Sequence, residues 1–288
     1  METIKLSNLQ MPAAREFGWS LKPISSSLFD ICKRDNGQFC VVLNHALLRG
    51  VRAEMVHWWF LNFCKMKVCL RDVPDYEDQQ VPAYWLWHPV DHLSATLSGS
   101  LGAGGTAKAG CTIHIREAMQ YNLYGWKYPV DTKLKVFYVG EDGWAMGKVL
   151  PFFGPVMMLR IHFKDVFDGT QHLGVHYHYE IVIGVSGAGI LSKQINSKIT
   201  GSYGPEFFAA WQRHNVIEVG TFENFIPALY DQRNKSSGLV YSPEMNSVGG
   251  HLAPQTAFSR QLFDQRLQSY RQSDDPNREQ GHSKASFL

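Results

Sequence analysis

From residue 111 to residue 183 the chain becomes a succession of β-type segments, and this run limits the fold more than any other feature. Residues 111–117, 133–139, 156–163 and 174–183 each have strand-like composition or alternate apolar with polar positions. Short turns holding Gly or Asp join them, which predicts an antiparallel meander, because parallel strands need long crossover connections. Directly afterwards residues 205–231 read as one long helix. Pro205 suits its first position, and apolar residues recur at helical spacing. A curved antiparallel sheet wrapped about one long C-terminal helix is an α+β, helix-grip arrangement, with a cavity between sheet and helix.

Upstream, residues 45–66 predict a turn and then an amphipathic helix bearing Met55, Trp58, Trp59 and Phe63, aromatics whose ordinary use is core packing. The expected layout is an N-terminal helical or irregular segment (1–70), a helix-grip domain with the site (71–235) and a C-terminal extension (236–288). The extension turns polar enough from about residue 267 to be expected disordered. The glycine-rich run 98–105 lacks both the Gly-x-Gly-x-x-Gly and Walker patterns and reads as a flexible connection.

Composition narrows the function classes. A net charge of +2, with no basic run interleaved with aromatics, argues against nucleic acid. No apolar run approaches the ~18 residues needed to span a membrane, and no signal-peptide pattern opens the sequence. Five cysteines without a Cys-x-x-Cys pair suggest reduced thiols and a cytoplasmic setting. Aromatic residues make up 13% of the chain, enough to line a cavity for a small hydrophobic or phenolic partner. Homodimerisation is left open.

Chemistry concentrates in three places. On a helix, His214 and Glu218 stand one turn apart on one face, where an imidazole and a carboxylate can grip one cation. Such a pair is more often a solvated ion pair, so it needs company. In the strand 111–117, alternation puts Glu117 on the apolar face with Ile113 and Ile115. A carboxylate there is costly unless it is paired, protonated or bound to a metal. Finally, His88-Pro-Val-Asp91-His92 offers two histidines beside an aspartate able to orient an imidazole. Either histidine is a candidate ligand. A rival cluster, His176, His178 and Glu180, shares one strand face. If Tyr177, Tyr179 and Ile181 line the interior, that face looks to solvent.

Taken in order, these pieces resemble a known family. Trp58-Trp59-Phe60, Tyr84-x-x-Trp87-His88-Pro-x-Asp91-His92, the strand glutamate Glu117, and His214-x-x-x-Glu218 running into Phe222-Glu-Asn-Phe-Ile-Pro-Ala-Leu-Tyr230 are similar to the diacetylphloroglucinol hydrolase and phloretin hydrolase family. The resemblance covers roughly residues 45–232. It implies a helix-grip (Bet v 1-like) domain and a zinc ion held by His92, Glu117, His214 and Glu218, with iron or manganese as alternatives. It further implies Tyr84, His88, His162 and Tyr177 as substrate-side catalytic groups, His162 passing a proton. The implied activity is metal-dependent hydrolysis of a carbon–carbon bond between an acyl group and a phenolic or β-dicarbonyl-like ring, in secondary metabolism. Two other expectations stand beside it. One is a relative acting as a non-hydrolytic cyclase or pericyclase on a polyketide or terpenoid; the other is a carrier of hydrophobic ligands.

Overall fold

The computed structural model describes residues 9–187, 189–236 and 238–245. Its main sheet is built from β1 (Ser27–Lys33), β2 (Phe39–His45), β5 (His92–Ser98), β6 (Thr112–Ala118), β7 (Pro129–Gly140), β8 (Gly143–Leu150), β9 (Gly154–Asp168) and β10 (Gln171–Ile183). A smaller sheet joins β3 (Lys67–Leu70), β4 (Gln79–Pro82) and β11 (Leu239–Tyr241). The helices are α1 (Ala53–Asn62), α2 (Tyr84–Trp87), α3 (Tyr121–Tyr124), α4 (Ile190–Thr200), α5 (Pro205–Gly220) and α6 (Phe222–Asp231).

The spatial order of the large sheet is β1-β2-β10-β9-β8-β7-β6-β5, every neighbouring pair antiparallel. Strands β5 to β10 therefore form the expected meander. The chain is α+β, a large antiparallel sheet with helices. Among the described residues no helix is long and apolar enough to cross a membrane.

Three features of the layout differ from the sequence reading. First, the described part of the segment 1–70, from residue 9, is no separate helical unit, because it supplies β1 and β2, which extend the sheet beyond β10. Their connection turns at Gly37, whose φ of +84° favours glycine, and Arg34 N–H closes the turn on the Gln38 carbonyl at 2.8 Å. Just past β2, Leu48 and Val175 exchange two backbone hydrogen bonds of 2.9 Å, which fixes the next stretch to β10.

Second, the helix expected over 205–231 is two helices meeting at Thr221, whose hydroxyl lies 2.7 Å from the Glu218 carbonyl and 2.9 Å from the Trp87 carbonyl. A hydroxyl that binds the carbonyl three residues back competes with continuation of the helix ladder. Beyond the break α6 turns its aromatic face to α1, and Phe225 meets Trp59 at 4.9 Å between ring centroids. Third, the C-terminal extension begins with an ordered strand, β11. Residues 246–288, including the stretch expected disordered, lie outside the described residues.

Alternation along β10 sets the two faces of the sheet. Tyr177, Tyr179, Ile181 and Ile183 point to a cavity closed on its other side by α5, while His176, His178 and Glu180 point away.

Candidate metal centre

Four side chains from three elements converge at one end of that cavity. His92 opens β5 and is the direct cross-strand partner of Glu117 on β6, so the two share a face. His214 and Glu218 descend from α5 one turn apart. His214 Nε2 lies 3.1 Å from Glu117 Oε2 and 3.9 Å from Glu218 Oε2, and His92 Nε2 lies 3.6 Å from Glu218 Oε1. Tetrahedral ligands bonded at ~2.1 Å stand roughly 3.4 Å apart, so these spacings suit one small cation with little rearrangement.

The orientation of each imidazole is fixed from behind. His92 Nδ1 hydrogen-bonds the Tyr84 carbonyl at 2.9 Å, and its ring stacks on Tyr84 at 3.9 Å. That bond puts the proton on Nδ1 and leaves a lone pair on Nε2. Nε2 is buried, has no hydrogen-bond partner, and faces a carboxylate. Two electron-rich atoms in that position repel unless a proton or a cation lies between them. His214 is turned the same way by Asp91, whose Oδ2 is 2.9 Å from its Nδ1. Asp91 in turn accepts the backbone N–H groups of Gln120 (2.8 Å) and Tyr121 (3.0 Å). Imidazoles held through their far nitrogen by a carboxylate or carbonyl are the usual support of metal-binding histidines.

His88 stands outside this set. Its Nδ1 accepts the N–H groups of Val90 and Asp91 at 3.2 and 3.0 Å, and its Nε2 turns toward Asp91 Oδ2 at 3.3 Å. Stacked on His214 at 4.7 Å, it lies, like His92, outside the cavity lining, but unlike His92 it turns its Nε2 toward Asp91 and away from Glu117 and Glu218. The expectation of a catalytic His88 is therefore corrected: the Pro89 turn uses this side chain to hold Asp91. A second grouping of His88, Asp91 and His214 is close enough to suggest a cation, but both oxygens of Asp91 already accept backbone N–H groups and Oδ2 also bonds His214 Nδ1. The group of His92, Glu117 and His214 has its ligand atoms within 4.8 Å of one another, with Glu117 and His214 lining the cavity.

Electrostatics follow from this crowding. Burial alone would raise the Glu117 carboxyl, but its hydrogen bond to His214 and the nearby imidazole charge outweigh burial and hold it at about 2. Glu218 goes the other way: burial, with the charge of Glu117 behind it, pushes it up to about 8 against the pull of His214. Burial drives His92 down to about 3, so it is neutral. His214 is raised well above its ordinary value although burial opposes this, because Asp91 and Glu117 both bond to it. One carboxylate thus stays charged while its neighbour holds a proton, as expected of paired acids sharing one site.

The cavity measures about 500 Å³. Tyr84 lines it and hydrogen-bonds Glu117 Oε1 at 2.6 Å. Tyr177, fully buried, also lines it, beside Tyr179 and the His45 ring at 5.4 Å. His162 does not. Along β9 the inward residues are Leu159, Ile161 and Phe163, so His162 falls on the opposite face, across from His178 at 6.2 Å between rings. Its expected role as a proton carrier in the cavity is corrected by that parity.

His176 and His178 point away from the cavity as expected, yet they are not solvated: they are 5% and 0% exposed. Side chains of the flanking strands crowd them. Asn44 of β2 meets His178 Nδ1 at 2.7 Å, and Arg160 of β9 reaches Glu180 at 3.5 Å.

Two site residues escaped the sequence reading. Asn215 donates to Glu218 Oε2 at 3.1 Å, and its carbonyl oxygen lies 3.1 Å from His45 Nε2. The i,i+3 spacing of Asn215 to Glu218 was available as a signal, whereas His45 sits at the end of a strand that was not foreseen.

No protein-family profile matches this chain, and no curated protein does. Among solved structures it is similar to a protein of unknown function, SA2116 from Staphylococcus aureus, at 10% identity and TM-score 0.32, covering 63% of this chain and 96% of that one. It is also similar to Ara h 8.0201, at 8% identity and TM-score 0.32, covering 65% and 98%. Likenesses this distant carry no functional argument.

Proposed function

We propose that this protein is a metal-dependent hydrolase of a carbon–carbon bond between an acyl group and a phenolic or β-dicarbonyl-like ring, built on a helix-grip, Bet v 1-like scaffold. The observation that carries the reading is a buried set of two imidazoles and two carboxylates, their far atoms fixed by hydrogen bonds, at the polar end of an aromatic cavity. His92, Glu117, His214 and Glu218 would hold the ion, zinc by donor type, with iron or manganese also suited. When bound, such an ion supplies Lewis-acid polarisation and a hydroxide-like nucleophile at neutral pH.

The remaining work falls to the chain itself. Tyr84 and Tyr177 are both held protonated, by burial first and then by nearby carboxylate charge. Tyr177 can donate a hydrogen bond to a ring oxygen, whereas Tyr84 gives its proton to the hydrogen bond with Glu117 and offers its oxygen as acceptor to a ring hydroxyl. Tyr84 is tied to Glu117, which fixes the direction of its hydroxyl. Trp87, Trp144 and Phe60 wall the ring site and exclude water. In balance, water adds OH to the acyl carbon and the C–C bond breaks. Its electron pair goes to the ring carbon, which takes a proton and leaves as the free phenol.

The test is product mass after incubation of the zinc-loaded protein with acylphloroglucinols. The expected products are a carboxylic acid and the deacylated ring, with activity lost on chelation and restored by zinc. Full activity in metal-free protein defeats the metal reading, and a product of unchanged mass replaces hydrolysis with cyclisation.

A further inference from the structure

The cavity is longer than its polar end needs. Glu218 and Phe207 both line it from α5, and eleven residues of helix separate them, a rise of about 16 Å. On the opposite wall Tyr179 lies near the carboxylates, and β10 runs on through Ile181 to Ile183, about 13 Å further along. Beyond Tyr179 the chemistry of the lining changes. Leu159 and Met157 face Ile181 and Ile183 across the β9–β10 register, and Phe208 closes the helix side. The two charged lining residues outside the ligand set, Asp131 and Lys148, are exposed and stand at the rim. Leu150, also at the rim, is 38% exposed, and the β8–β9 turn beyond it presents Phe152 and Phe153 to solvent.

We propose that this outer half is a tail subsite, which makes the substrate a ring bearing a long, flexible lipophilic chain and not a small acylphenol. The inference rests on reading the ligand end as the reacting end. A short acylphenol would occupy the space between Tyr84 and Tyr177 and leave the wall from Ile181 to Phe208 in contact with water. A chain threaded along it removes apolar surface from water on both partners. The exposed Leu150, Phe152 and Phe153 give such a chain an apolar approach.

The test uses the full-length, zinc-loaded protein and a series of phloroglucinol ketones from acetyl to dodecanoyl. Binding is followed by titration calorimetry and cleavage by kcat/KM. Dissociation constants should fall by about fourfold per added methylene until the chain reaches the rim. Ile183→Trp fills the outer half from the buried side. Met157→Trp, nearer the surface, does so with less risk to folding. Each should cut the dodecanoyl-over-acetyl preference by more than about tenfold. Affinity that is flat or falls with chain length overturns the tail subsite, even if the acetyl compound is cleaved. Affinity that rises with chain length without cleavage of any member keeps the subsite and overturns the hydrolase reading.

Discussion

The two faces of the central sheet carry nearly the same inventory and differ in what they can do with it. On the cavity face, His92, Glu117, His214 and Glu218 bring nitrogen and oxygen atoms toward one point, the last three beside open volume. On the other face His162, His176, His178 and Glu180 are also brought together, two of the histidines just as buried. There, however, His178 meets an amide at Asn44, and Glu180 meets the guanidinium of Arg160. The outer cluster spends an imidazole N–H on an amide oxygen and pairs its carboxylate with a fixed guanidinium. In the inner one the protons on His214 and Glu218 can leave and the His92 Nε2 has no hydrogen-bond partner. Residue type alone does not suit a cluster to a cation; donor atoms that converge beside open volume and can shed their protons do.

The sharpest way to break this comparison is to delete one histidine from each face. His214→Ala should weaken zinc binding by more than roughly a hundredfold and remove activity with it, since it strips a ligand and not merely its support. His178→Ala should leave zinc affinity within a few-fold and instead lower stability by about 1–3 kcal/mol, because it leaves the Asn44 amide unpartnered. Zinc titration alongside thermal melting measures both. Equal losses of affinity on the two faces would end the distinction.

A smaller effect is expected one layer back. Asp91→Asn preserves shape but has one oxygen where Asp91 uses two, so it keeps only one of the Gln120 and Tyr121 N–H bonds and loses the charge that orients His214. Zinc affinity should drop by about ten- to a hundredfold. His88→Gln should do less, since His88 acts through Asp91. An Asp91→Asn variant that binds zinc like wild type would show that the orienting bond is idle.

The last comparison sharpens the electrostatic side. Without metal, Glu218 is protonated up to about 8 and His214 stays charged, whereas metal binding needs both deprotonated. Two protons leave per ion, so zinc affinity should rise by up to about a hundredfold per pH unit from pH 6 toward 8. Linkage gives the matching stability term. Glu218 has a raised pKa, so the folded metal-free state binds more protons than the unfolded one between the ordinary glutamate range and about 8, and its stability falls as pH rises through that window. Glu218→Gln removes this cost. The metal-free variant should therefore melt at or above metal-free wild type at pH 8, while wild type gains more from added zinc. Unfolding of the variant with and without metal would recast Glu218 as a structural pairing residue.

Much of the site was legible because it obeys local periodicity. Alternation alone put Glu117 on the inner face of β6, and helical spacing alone paired His214 with Glu218. Choosing His92 over His88 is different, since it depends on which nitrogen each ring commits to backbone, and that is a tertiary fact. The reading of His162 failed although the signal was present: Leu159, Ile161 and Phe163 alternate around it and assign it outward. The hairpin of β1 and β2 also carried a readable sign, Asn36-Gly37 between two apolar runs, a favoured turn pair. What could not be read locally is that this hairpin docks beside β10, some 130 residues away, and delivers His45 to Asn215.

The ligand set spans a wide gap in the chain, with His92 and Glu117 on one hairpin and His214 and Glu218 on a helix made about a hundred residues later. Until α5 docks, no more than half of the set exists, so metal has little hold on any state that forms earlier. Interactions completed after the folding barrier slow escape from the native state without hastening arrival. A bound ion would then act as a latch in time: refolding rates would barely respond to zinc, while the holoprotein would open far more slowly than the apoprotein.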